Sequence, residues 1–447
     1  MTEEQKIWKW VEEHEKELID DISYLIEVPS TASEAEGIFP YGINCKEVID
    51  RFLKLADRYG FQSENHGYHC CSILYGSGEK ELGIWGHLDV VPEGRDWIYP
   101  PYACTRKGNF LIGRGVQDNK GPSVAVLYAL RCMREILGEP AIRYRQILGC
   151  QEEAGMQDVI YYLQHHRAPD YSIVADCGFP VCCGEKGICN IRLTSQELSD
   201  SIIEIKGGNA ENIIPDQASA AFCRNNTSRT IEARGISGHS AFPEGTENAI
   251  GILCRTILME GLAAGNDRKI IECMECICRD GYGIGAGLAC EDERSGKLTA
   301  SGTVVRTKDK HLELYMNIRY PISVNSKEIL ERLKDCTDEY GFQIEILSDS
   351  KPNYVNADSP WIQSLCEVYS RVTGSHEIPY VMGGGTYARH IPNAVGFGPG
   401  IPADFQELRL PTGHGNCHCA DEAQSIPNLK KAVVIYTLAL WAQNQYL

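Results

Sequence analysis

The chain has 447 residues, 43% of them hydrophobic and 23% charged, with a formal net charge of -18. That length exceeds what one compact core supports, so two or three domains are expected, with enough apolar surface to bury them. The acidic balance argues against a nucleic-acid partner, because phosphate binding wants clustered Lys and Arg and no such run occurs.

The amino terminus, Met1 to Asp20, sets Ile7, Trp8, Trp10 and Val11 among charges and reads as an amphipathic surface helix, not a cleavable signal. No apolar run approaches the ~20 residues of a membrane span, so a cytoplasmic protein without membrane contact is expected. From Glu81 to Glu185 short apolar strands alternate with helices. Leu82-Gly83-Ile84-Trp85 runs toward His87, Gln146-Ile147-Leu148 toward Glu152 and Glu153, and Ile173-Val174-Ala175 toward Asp176. Pro122 opens an amphipathic run from Ser123 to Leu137, just after Asp118. Such strands imply a parallel sheet covered on both faces, whose ligands gather beyond the carboxyl ends of the strands.

After Gly187 the pattern changes. Strands over Thr230–Ile236, Leu298–Arg306, His311–Arg319 and Phe342–Leu347, with helices over Thr246–Met259 and Ser326–Tyr340, imply an antiparallel sheet with helices on one face. A helix from Ser359 to Thr373 then leads into Gly383-Gly384-Gly385 and the His418 segment. The expected layout is an α/β domain in two parts, 1–187 and 352–447, with an α+β domain inserted at 188–351. Twenty cysteines in so large a chain read as reduced thiols. The cluster Cys273, Cys276, Cys278 and Cys290 lacks the paired spacing of a structural zinc site, though metal binding there stays an alternative.

His87 and Asp89, two apart on a strand, face the same way, so Asp89 can orient His87 as a ligand. A divalent pair would compensate the charges left at the strand ends: Asp118 as the bridge, His87 with Asp176 on one ion, and Glu153 with His418 on the other. Mixed imidazole and carboxylate ligands favour two Zn2+, with Mn2+ or Co2+ tolerated. Cys417 and Cys419, on an extended segment, would point away from His418. Glu152, left without a metal, suits general base and then general acid work.

Gly86 to Pro92 (GHLDVVP), Gly113 to Pro122 (GRGVQDNKGP), Glu152-Glu153, Asp176 before Cys177-Gly178-Phe179-Pro180, Gly184 to Gly187 (GEKG), Asn317 to Pro321 (NIRYP), Gly383 to Arg389 (GGGTYAR) and His418 to Glu422 (HCADE) together resemble the M20 metallopeptidases. Within them the chain is most similar to the PepV-type, carnosinase-like (Xaa-His) dipeptidases, from about residue 20 to 440. The resemblance implies a zinc-exopeptidase-like mixed sheet flanked by helices, a ferredoxin-like inserted lid, and the ligand set just given. It further implies His239 as a catalytic donor to the substrate carbonyl, Arg319 as the grip on the substrate carboxylate, and Asn212, Gly384, Gly385 and Thr386 as substrate contacts. Ala154 and Cys177-Gly178 depart from the common family pattern without removing a ligand. The expected activity is dipeptide hydrolysis through a metal-bound hydroxide, acting in peptide catabolism on substrates with a free amino end. An N-acyl amino acid deacylase or carboxypeptidase is the alternative, and a non-catalytic metal or peptide binder a further one. The lid's size favours a monomer, with a homodimer as the alternative.

Overall fold

The computed structural model describes residues 1–224 and 227–447. It divides into two compact units, one of Met1–Cys183, Val355–Tyr380 and Thr386–Leu447, the other of Gly184–Tyr354 with Val381–Gly385. The short segment Val381–Gly385 therefore clusters with the second unit, although it falls in the stretch expected to belong wholly to the α/β domain.

In the first unit, strands β1 (Gln62–His66), β2 (Cys70–Tyr75), β3 (Glu81–His87), β4 (Arg143–Gly149) and β5 (Tyr171–Val174) are ordered β1-β2-β4-β3-β5, and the short strand Ala394–Gly396 follows β5. Strand β3 is parallel to both β4 and β5, and Ala394–Gly396 continues the parallel run. Antiparallel β2 and β1 extend the other edge, so the sheet is mixed. Six successive residues of β3, Leu82 to His87, are buried, as a central strand covered on both faces requires.

Two helical expectations are corrected. The run from Ser123 to Leu137 is not amphipathic through Cys132: all of Lys120–Cys132 is buried, because Ile426–Gln443, Glu15–Ile26 and β3 surround it, and exposure begins only in the last turn, Met133–Leu137. The amino-terminal helix is two helices, Glu3–Glu13 and Glu15–Ile26, interrupted at His14, whose ring stacks on Trp10 and bonds the Trp10 carbonyl.

The second unit is built on seven antiparallel strands: β6 (Gly187–Thr194), β7 (Ile202–Gly207), β8 (Gln217–Arg224), β9 (Thr227–Arg234), β10 (Thr299–Lys308), β11 (His311–Tyr320) and β12 (Gln343–Ser350). Their order is β9-β8-β7-β10-β11-β6-β12. Taken with the helices between them, β6, β10, β11 and β12 keep the order 4-1-3-2 of a ferredoxin-like βαββαβ unit, and β7 to β9 widen it at one edge. Alternate residues of β6 (Cys189, Ile191, Leu193) and of β11 (Leu312, Leu314, Met316, Ile318, Tyr320) enter one core with helices Ala249–Met259, Gly265–Cys278 and Ser326–Asp338, so the helices lie on one face. Among the described residues no helix is long and apolar enough to cross a membrane.

Candidate metal centre

Three parallel strands deliver the site. His87 is the last residue of β3, opposite Gly149 of β4 in register; Glu152 and Glu153 form a single helical turn just past β4, and Asp176 lies two residues past β5. Asp118 sits two residues before the helix Lys120–Cys132, next to its N-cap Asn119. The sequence-predicted ligands converge. His87 Nε2 is 2.9 Å from Asp118 Oδ1 and 3.8 Å from Asp176 Oδ2. His418 Nε2 is 3.0 Å from the other oxygen of Asp118 and 3.0 Å from Glu153 Oε1. Each oxygen of Asp118 thus faces a different imidazole, and each imidazole has a carboxylate of its own. Atoms of His87, Glu152 and Asp176 lie within 4.8 Å of one another, as do those of His87, Asp118 and Glu153.

Asp89 stands behind this cluster. Its Oδ1 is 3.3 Å from His87 Nδ1, and its two oxygens accept the backbone N–H groups of Glu152 (3.2 Å) and Glu153 (3.1 Å). Asp89 therefore orients the imidazole, through its backbone carbonyl at 3.0 Å from Nδ1 as well as its carboxylate, and that carboxylate holds the paired glutamates.

His418 contradicts one expectation. It does not lie on an extended segment but in a turn, with φ of 62°, so strand alternation says nothing about Cys417 and Cys419. Cys417 is exposed and donates its N–H to Gln117 Oε1.

Two residues that organise the site were given no role by the sequence reading, although both lie in its motifs. Asn119 Oδ1 accepts the N–H of His87, while Asn119 Nδ2 donates to the Ala175 carbonyl (2.7 Å) and to Asp176 Oδ1 (3.0 Å), joining the segments of His87, Asp118 and Asp176. Gly86 allows this approach, since a Cβ there would lie 2.7 Å from Asn119 Oδ1. Glu422, wholly buried, pairs with Arg114 at 2.8 Å and accepts the N–H groups of Gly115, Gln117 and Asp118. Four residues from His418, it locks the loop that presents Asp118. An acidic residue whose partners are backbone amides leaves no spacing signal in a sequence.

The electrostatics ask for positive charge. Burial alone would lower the pKa of His87, but Asp118, Asp176 and Asp89 outweigh it and the net shift is upward. Hydrogen bonds to Asp118 and Glu153 push His418 up to about 11. Burial, then the charge of Asp118, raises Asp176 to about 6. Glu152 is raised well above the usual carboxylate range by burial and by neighbouring Asp176. Among the described residues the candidate groups contain no thiolate, and two imidazoles among desolvated carboxylates are a donor set that fits borderline and hard divalent ions.

The remaining predicted residues, apart from Thr386, lie in the second unit. Gly238–His239 pairs with Ile213–Ile214, which brings His239 opposite the residue after Asn212. The Asn212 carbonyl accepts the N–H of Ser240. His239 Nδ1 accepts the N–H of Ala241 at 3.1 Å, which puts the proton of a neutral ring on Nε2. Arg319 donates from Nε to Asn317 Oδ1 and from Nη1 to the Gly383 carbonyl, both at 2.8 Å; Asn317 Oδ1 also accepts the Ser240 hydroxyl. Buried Asn317, also unassigned by the sequence reading, thus ties the Arg319 strand to the segment after His239. The glycine run meets Arg319 through the carbonyl of Gly383. In the first unit, the Thr386 hydroxyl accepts the N–H of Ala388.

The sequence pattern of peptidase family M20/M25/M40 matches residues 83–442. The chain belongs to that family. This M20 peptidase is therefore a hydrolase of a metal-dependent family. It is 27% identical over 460 residues to the "Putative dipeptidase YtjP" of Bacillus subtilis, covering 95% of this chain and 97% of that protein. Its fold is similar to that of human carnosine dipeptidase 1, with a TM-score of 0.60 at 14% identity over 100% of this chain and 99% of the other. It is also similar to that of the Bacillus subtilis YXEP protein, described as a dinuclear metal binding peptidase, with a TM-score of 0.53 at 11% identity over 98% and 100%.

Proposed function

We propose that this M20 peptidase is a dinuclear metal dipeptidase that hydrolyses short peptides with a free amino terminus. The observation that carries the reading is the division of Asp118: its two oxygens face His87 and His418 separately, and Asp176 and Glu153 complete the two sides. A shared carboxylate with one imidazole and one further carboxylate per side would suit a pair of divalent ions. His87, Asp118 and Asp176 would hold one ion, and Asp118, Glu153 and His418 the other. Zn2+ fits these donors, and Mn2+ or Co2+ fits them too. When bound, such a pair polarises the scissile carbonyl and acidifies a water.

The remaining work belongs to side chains. Glu152 accepts the proton of the attacking water and returns it to the departing amine. Its carboxyl, shifted upward by burial and by Asp176, suits a group that both takes and gives a proton. Asp89 keeps the Glu152 turn and His87 in register. His239 Nε2–H donates to the oxygen on which charge develops, and its backbone-fixed tautomer supports that role. Arg319, anchored through Nε and Nη1, receives the substrate carboxylate, with Asn212, Gly384, Gly385 and Thr386 as further contacts. The relative and the structural neighbour whose names contain dipeptidase support the substrate class.

The test is a panel of free, N-acetylated and β-alanyl dipeptides, with longer peptides, on metal-reconstituted protein beside Glu152→Gln. Cleavage of free dipeptides is expected, with kcat lowered about a thousandfold in the variant at unchanged metal content. Preference for N-acetylated substrates would replace the reading with a deacylase. Two bound ions without turnover of any substrate would replace it with a binding protein.

A further inference from the structure

The turn bearing Glu152 and Glu153 is held by side chains outside the ligand set. Three successive backbone N–H groups are each taken by a buried carboxylate: Gln151 by Asp158 Oδ2 (2.7 Å), Glu152 by Asp89 Oδ1 and Glu153 by Asp89 Oδ2. Asp158 also accepts the N–H of Val159 (2.8 Å) and the hydroxyl of Tyr387. Asp158 is 0% and Tyr387 1% exposed. The end of β4 is shaped to admit this pair, because a Cβ on Gly149 would lie 2.1 Å from both Asp158 Oδ2 and the Tyr387 hydroxyl oxygen. Tyr387 follows Thr386 directly, so the Asp158–Tyr387 bond links the glutamate turn to the GGGTYAR segment.

Burial and the charge of Asp89 raise Asp158 to about 6, so the carboxylate sits where its ionised form is disfavoured. Two backbone amides and a phenol hydroxyl compensate it there, and one of those amides immediately precedes Glu152. A displacement of ~1 Å at a reacting group can cost about a hundredfold in rate.

We infer that Asp158 and Tyr387 are positioning residues for the acid/base carboxylate: they fix the backbone at Gln151, and through it the direction in which Glu152 leaves the turn. This rests on Glu152 being the acid/base.

A double-variant cycle tests it. In the holoenzyme, Tyr387→Phe removes one hydroxyl and is expected to lower kcat about tenfold, with KM within about twofold and metal content unchanged. In a Glu152→Gln background the same change is expected to cost nothing further. Asp158→Asn, which keeps one accepting oxygen and guards against misfolding of bulkier changes, is expected to behave alike with a larger loss. Equal fold losses in both backgrounds, a loss confined to KM, a loss of metal, or an unaffected kcat would each overturn the positioning role while leaving Glu152 in place. A fully active Glu152→Gln would instead overturn the acid/base assignment, and the positioning role with it.

Discussion

His87 and His418 face the same carboxylate from different surroundings, the first side chain 1% exposed and the second 52%. In metal-free protein, His87→Ala would leave Asp89, Asp118 and Asp176 clustered without their shared imidazole, which is expected to cost about 3 to 5 kcal/mol, as for a broken buried pair. His418→Ala removes a solvent-screened contact and is expected to cost no more than about 1 kcal/mol. Urea denaturation of the two metal-free variants checks the contrast, and equal costs would show that exposure does not set it.

The elements that carry the proposed ligands are fastened by groups outside that set. Replacing Glu422 by Ala would strip the Asp118 loop of three backbone acceptor contacts and leave Arg114 buried without its carboxylate, so a loss of about 3 to 5 kcal/mol is expected by denaturant titration. At the start of the helix Gln157–His165, Asp158 has a folded pKa of about 6 against an ordinary 3.8. Its ionised form therefore destabilises the fold above pH 6, and that penalty is relieved as pH falls toward 4. Relative to Asp158→Asn, the unaltered protein is expected to gain about 2 kcal/mol between pH 7.5 and 4.5; a constant difference would contradict the shift.

The strands and the convergence of the side chains at their ends were legible in the sequence, because apolar runs lead to His87, Asp176 and the Glu152-Glu153 pair, and parallel strands bring such ends together. Helix Gly265–Cys278 was not legible. Its core face is Ile270, Ile271, Cys273, Met274, Ile277 and Cys278, a clean helical period once cysteine counts as a small apolar side chain and not as a reactive one. The burial of Lys120–Cys132 on every side, and the anchoring by Asn119, Asn317 and Glu422, depend on partners up to about three hundred residues away, which no local pattern encodes.

On the scale of the whole molecule, the two units have separate cores, and the converging imidazoles and carboxylates belong to the first. Binding to the folded form alone stabilises what it binds, so chelation is expected to speed hydrogen exchange around β3, β4 and the Asp118 loop while the seven-stranded sheet of the second unit keeps its protection. Equal acceleration in both units would place the ions elsewhere. The most direct measurement is the number of divalent ions retained per chain after gel filtration, in the unaltered protein, His418→Ala and Asp118→Ala. Two, one and none are expected, because Asp118 serves both ions and His418 only one. Saturation of the unaltered chain by a single ion, or an Asp118→Ala chain that keeps both, would contradict the shared carboxylate on which the proposed chemistry stands.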